Sequence, residues 1–135
     1  MNVVDSCAWL EYFAAGPNAA FFGRAIEATG KLVVPTLSLY EVFKRILQQR
    51  TEGDALVAVA LMQQGTVVEL DARVALSAAR ISVDLKLPMA DSVMLATARA
   101  FGATLWTQDE HFEGLPDVRY RPAKTPTGRQ DERRR

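Results

Sequence analysis

Four acidic residues sit where apolar runs end or helical stretches begin. Asp5 follows "NVV", and Glu41 lies about two turns into a helical stretch. Asp91 opens another such stretch, and Asp109 comes two residues after Thr107 in "LWTQDEHF". Singly, each has a plain structural role: Asp5 and Asp91 as helix N-caps, Glu41 as an i,i+4 partner of Arg45, Asp109 as a turn residue. Jointly they point to metal chemistry, because clustered carboxylates repel and raise one another's pKa unless a cation is bound. Hard oxygen donors suit Mg2+ or Mn2+. Zinc is disfavoured, since His111 and Cys7 are the single histidine and the single cysteine of the chain. One or two such ions activate water and stabilise the attacking and leaving oxygens of a phosphodiester. Ser6 and Thr107 stand beside these acids as hydroxyls suited to orienting a carboxylate or a water.

For those carboxylates to meet, the elements between them must alternate. "NVV" (2–4), "KLVV" (31–34), "TVVEL" (66–70) and "ATLWT" (103–107) read as buried strands, and "VRYR" (118–121) as a weak edge strand. Helical stretches fill the intervals: one from Ser6 to the "GPN" break, then 19–28 ending at Gly30, Thr36 to about Arg50, 54–64, 71–85 and 90–102. Leu39, Val42, Phe43, Ile46 and Leu47 form an apolar stripe at helical spacing, which places Glu41 nearly opposite the core face. Asp71 also follows a strand, but a helix starts there and it reads as a cap. Strands alternating with helices predict an α/β domain with a mainly parallel sheet, whose sites lie beyond the carboxyl ends of the strands.

The chain has 135 residues, the size of one domain, with no apolar run long enough to span a bilayer. No basic run followed by an apolar stretch opens it, and a lone cysteine makes no internal disulfide, so the cytoplasm is the expected compartment. The zero net charge hides an asymmetry: residues 1–118 carry 9 Lys and Arg against 14 Asp and Glu, and residues 119–135 carry 7 against 2. Residues 1–121 are expected to form the domain, and 122–135 a basic, disordered tail. Lys44, Arg45 and Arg50 are the candidate phosphate contacts in the acidic body. Trp9, Tyr12 and Phe13, and Trp106, are read as packing residues, and His111 as a turn residue beside the site.

The stretches "VVDSCAWLEYF", "LSLYEVFKRIL", "LPMADSVMLATARAFGATLWTQDEHF" and "LPDVRY" resemble the PIN-domain ribonucleases, in particular VapC-type toxins of bacterial toxin–antitoxin pairs. The resemblance spans residues 1–121. It implies a three-layer α/β/α sandwich with a sheet of four to five strands, Mg2+ or Mn2+ dependence, and endonucleolytic cleavage of RNA. It also implies a homodimer and inhibition by a cognate VapB-type antitoxin. Asp5, Glu41, Asp91 and Asp109 correspond to the family's acidic quartet, Ser6 to the hydroxyl after the first Asp, and Thr107 to the Thr/Ser-x-Asp motif. Cys7 departs from the usual Ser or Asn and puts one local hydrogen bond in question. Two other functions compete: an inactive PIN-like binding module, and a Mg2+-dependent phosphatase. The phosphatase ranks last because Asp5 is followed by Ser6 and Cys7 rather than by an Asp-x-Asp pattern.

Overall fold

A computed structural model describes residues 1–124 of the chain. Five short strands, β1 (Asn2–Val4), β2 (Leu32–Pro35), β3 (Thr66–Val68), β4 (Thr104–Thr107) and β5 (Val118–Tyr120), pair in the order β3-β2-β1-β4-β5. Every pairing is parallel, so the sheet is wholly rather than mainly parallel. Six helices connect them: α1 (Ser6–Phe13), α2 (Ala19–Ile26), α3 (Thr36–Gln49), α4 (Glu52–Met62), α5 (Ala72–Leu85) and α6 (Met89–Ala100). The α/β/α sandwich implied by the family resemblance is therefore the observed fold.

Alternation along the strands divides the core in two. Val3, Val33 and Leu105 face α5 and α6, while Val4, Leu32, Val34 and Trp106 face α1 to α4. Strands buried on both faces read as continuous apolar runs, which is why they stood out in the sequence. In α6, Ser92 to Ala98 are all buried, as expected of a helix clamped between a sheet and another helix. Trp106 completes its packing with a 2.8 Å hydrogen bond from its indole N–H to Asn2 Oδ1, so its polar edge is satisfied inside the core.

Several boundaries differ from expectation for local reasons. Thr36 is the first helical residue of α3 and not its cap; Pro35 holds that position, with no side-chain capping bond. α4 begins at Glu52, because Thr51 caps it by accepting from the Asp54 N–H. α2 stops at Ile26, and Gly30 lies in a separate 3-10 turn, Thr29–Lys31. Asp71 caps α5 as expected. The basic tail falls almost entirely outside the described residues.

The connections β1 to β2 and β2 to β3 step outward on one side of β1, whereas α5 and α6 carry the chain back across the sheet to place β4 on the other side. The order therefore reverses between β1 and β4. A crevice at the carboxyl ends of strands forms at such a switch point, and Asp5 and Thr107 are brought to it.

Gly65, between α4 and β3, leaves no room for a side chain: a Cβ there would stand 2.9 Å from the Leu32 carbonyl oxygen and 2.9 Å from Val34 Cγ2. Because one of those atoms is backbone of a central strand, Gly65→Ala is expected to destabilise the fold by about 1–3 kcal/mol. A urea midpoint equal to that of the wild type would contradict this packing.

Candidate active site

The register of β1 against β4 pairs Val4 with Trp106, so the next residues, Asp5 and Thr107, stand side by side. The Thr107 hydroxyl donates to Asp5 Oδ2 at 2.8 Å and accepts from the Asp109 N–H at 2.9 Å. One buried hydroxyl thus ties two of the acids together. Asp5 is also the N-cap of α1, its Oδ1 accepting from the Ser6 N–H at 2.8 Å. Its capping and site roles coexist. The Cys7 thiol donates a 3.4 Å hydrogen bond to Asp5 Oδ2.

Glu41 arrives from α3. It does not lie opposite the core face, because the buried face of α3 is centred on Ser38, Val42 and Ile46, while Leu47 is exposed. Being adjacent to Val42, Glu41 lies about 100° from it, on the flank of that face. There it accepts a 2.6 Å hydrogen bond from the Ser6 hydroxyl rather than pairing with Arg45. Asp91 sits in the first turn of α6, whose N-cap is Pro88. That turn is fixed by Ser92, whose hydroxyl donates to the carbonyls of Leu87 and Pro88.

His111 belongs to the cluster, which residue spacing did not reveal. Asp109 caps a 3-10 turn, Glu110–Phe112, by accepting from the His111 N–H at 2.9 Å. The turn swings the imidazole back, so that Nδ1 lies 2.9 Å from Asp91 Oδ2 and 3.3 Å from Asp109 Oδ1. Asp-x-His at the end of a strand was the available signal; the partner, Asp91, is twenty residues away in sequence.

Charge is concentrated here without an equal opposite charge. Burial pushes the Asp5 carboxyl up from 3.8 to about 6, opposed by the Thr107 hydrogen bond and reinforced by the charge of Asp91. Asp91 is raised by burial and by Asp109, against its bond to His111. His111 is raised chiefly by its hydrogen bond to Asp91 and then by the charge of Asp109. Asp91, Asp109 and His111 each offer a ligand atom, all within 4.8 Å of one another. The donor set fits a hard divalent cation: carboxylate oxygens suit Mg2+ or Mn2+, and a single imidazole is compatible with Mn2+. Asp5 borders the triad through its coupling to Asp91, and Glu41 borders Asp5 through Ser6.

Residues 3–118 match the family described as the PIN domain. The chain belongs to the PIN-domain family. This PIN domain is similar in fold to a toxin–antitoxin complex from Klebsiella pneumoniae, with a TM-score of 0.74, 20% identity, and coverage of 88% of this chain and 96% of that one. It is also similar to VapC20 of Mycobacterium tuberculosis, a sarcin–ricin loop cleaving toxin, with a TM-score of 0.71, 15% identity, and coverage of 86% and 95%. A DNA-bound VapBC from Salmonella typhimurium aligns with a TM-score of 0.70 at 15% identity over 90% of this chain and 96% of that one. No curated protein matches the chain at a significant level.

The electrostatics of this PIN domain give stability a definite pH dependence. Asp5 and Asp91 hold protons more tightly folded than unfolded, so stability falls as pH rises from about 4 through about 6. His111 acts in the same sense, since its stabilising charge is lost as pH rises through its raised pKa. For Asp5 alone the cost of ionisation is on the order of 3 kcal/mol. Metal-free protein should therefore melt at a lower temperature at pH 7.5 than at pH 4.5. Asp5→Asn should remove much of that difference, and Mn2+ should restore the wild type at pH 7.5. A wild-type melting temperature that climbs over this range in EDTA would contradict the assignment.

Proposed function

We propose that the chain is a Mg2+- or Mn2+-dependent endoribonuclease acting in the cytoplasm as the toxin of a bacterial toxin–antitoxin pair. The observation that carries this reading is the cluster of Asp91, Asp109 and His111, with Asp5 beside it, coupled to Asp91 and raised to about 6. Membership of the PIN-domain family and the fold shared with VapC toxins support it. An assembly that only bound a partner would gain nothing from a buried carboxylate, Asp5, set beside the like charge of Asp91.

In this reading Asp5, Asp91, Asp109 and Glu41 hold the cation, with His111 beside them. A bound divalent ion supplies an activated water and neutralises charge at the scissile phosphate. The protein's own contribution is orientation. Thr107 fixes one oxygen of Asp5 and the backbone of Asp109, and the His111 N–H engages one oxygen of the Asp109 carboxylate. The Ser6 N–H fixes the other Asp5 oxygen, and the Ser6 hydroxyl holds one oxygen of Glu41. Such groups behind the ligands set their geometry.

The antitoxin belongs to the same proposal. A groove of about 920 Å³ runs from Cys7 and Gln108 between α1 and α4, with Leu10, Phe13, Val57 and Leu61 on its walls. It suits the apolar face of a helix from a VapB-type partner. Leu76 and Val83 on α5 and Met89 on α6 are strongly exposed apolar residues and support the homodimer.

The test is cleavage of a cellular RNA pool by purified, antitoxin-free protein with Mg2+, Mn2+ or EDTA. Discrete fragments are expected with metal and none with EDTA. Thr107→Val should slow cleavage by about 10- to 100-fold, and Asp5→Asn, Asp91→Asn and Asp109→Asn by more. Folded protein that leaves RNA intact with either metal would favour the inactive binding module instead.

A further inference from the structure

The metal site leaves one row of α3 side chains unused. Tyr40, Lys44 and Gln48 recur at four-residue spacing and share a helix face. Glu41 and Arg45 form the adjoining row, between that face and buried Ser38, Val42 and Ile46. Together Tyr40, Glu41, Lys44, Arg45 and Gln48, all on α3, line a shallow, open cleft along that helix. Tyr40 is 59% exposed, so its ring contributes little to the core. Lys44 Nζ lies 5.6 Å from the centroid of that ring, a cation–π arrangement that orients the aromatic plane.

Two connections tie this cleft to the carboxylates. Glu41 is at once a wall of the cleft and the acceptor of the Ser6 hydroxyl. Arg45 lines both this cleft and the larger groove that reaches Cys7 and Gln108. The cleft is also cationic within an acidic body. An exposed aromatic flanked by cations and an amide matches a base with its phosphates. Tyr40, Lys44 and Gln48 include no aliphatic residue, whereas Leu56, Val57 and Leu61 on α4 are exposed aliphatics better suited to a protein partner.

We propose that this cleft is a subsite for one nucleotide flanking the scissile phosphate, its base stacking on Tyr40 and its phosphates contacted by Lys44 and Arg45. The inference rests on the RNA-cleavage reading and adds to it the residues that decide where the strand lies. Because every base has a π-face, the subsite selects single-stranded over paired RNA rather than one sequence over another.

The test is binding of a fluorescently labelled, random-sequence 12-nucleotide RNA by the full chain, followed by anisotropy with Ca2+ in place of Mg2+ across a salt series. Tyr40→Ala should weaken binding roughly five- to a hundredfold, while Tyr40→Trp retains it. Lys44→Gln with Arg45→Gln should flatten the salt dependence by about 0.7 for each phosphate that is no longer neutralised. Equal affinity and salt slope in folded variants would overturn the subsite, as would variants that lose only the antitoxin. The two readings fail separately. Tyr40-dependent binding without cleavage in Mg2+ would remove the nuclease and leave the subsite. Cleavage and binding indifferent to both variants would remove the subsite alone. Wild type with no affinity for RNA would remove both.

Discussion

The site depends on one unfavourable arrangement, a carboxylate held at the dry end of a central strand. Asp5 is only 6% exposed, and burial of an ionised acid is costly without hydrogen bonds and a counter-charge. The Thr107 hydroxyl and the Ser6 N–H each engage one of its oxygens, and the Cys7 thiol lies alongside. These bonds lower its pKa without cancelling the burial, since the group still sits near 6. What remains is an unsatisfied demand for positive charge. His111 lies against Asp91 and Asp109 rather than Asp5, and a divalent cation would meet the demand at Asp5.

Holding such a group in place requires a rigid frame, and the strands supply it through register more than length. Each has three or four residues, so few ladder bonds define the alignment. The apolar alternation makes that alignment unambiguous. A slip of one residue in β4 would turn Leu105 and Trp106 each to the wrong layer and move the Thr107 hydroxyl away from Asp5. The bond from Trp106 to Asn2 and the tilted packing of Phe21 on Trp106, at 5.1 Å between ring centroids, pin the same strand from below the site. Core packing and site geometry are therefore one constraint, enforced at Val4, Trp106 and their successors.

Much of this was legible along the chain because it is local. Apolar runs closed by Pro35, Gly65 and Gly102 marked the strands and helices, and four acids at strand ends or helix starts marked the site. What stayed hidden depends on pairs distant in sequence. The apolar stripe on α3 counted Leu47, which is exposed, and missed Ser38, which is buried with its hydroxyl 3.5 Å from Met94 Sδ. The buried face is therefore centred on Ser38, Val42 and Ile46, and Glu41 on its flank is within reach of Ser6. His111 likewise reads as a turn residue until Asp91 is placed beside it by α6. Thr36 had the right residue type for a cap, but Pro35 fixes an extended backbone there.

Charge distribution carries the last step. Residues 1–118 are net acidic, which alone would disfavour a polyanion. In salt near 0.15 M, however, interactions between exposed charges fade over about 8 Å, so a phosphate at the cleft responds mainly to its immediate neighbours. Some cations of the fold are committed elsewhere: Arg119 stacks 5.1 Å from the Trp106 ring and Arg121 4.0 Å from the Phe21 ring. Lys44, over the exposed Tyr40 ring, Arg45 and Arg50 lie on α3 and at its end, exposed, along the clefts that border Glu41 and Cys7. An acidic body with a local cationic edge discourages nonspecific coating of the surface by nucleic acid. In the proposed function, a strand would follow those cations toward the carboxylates.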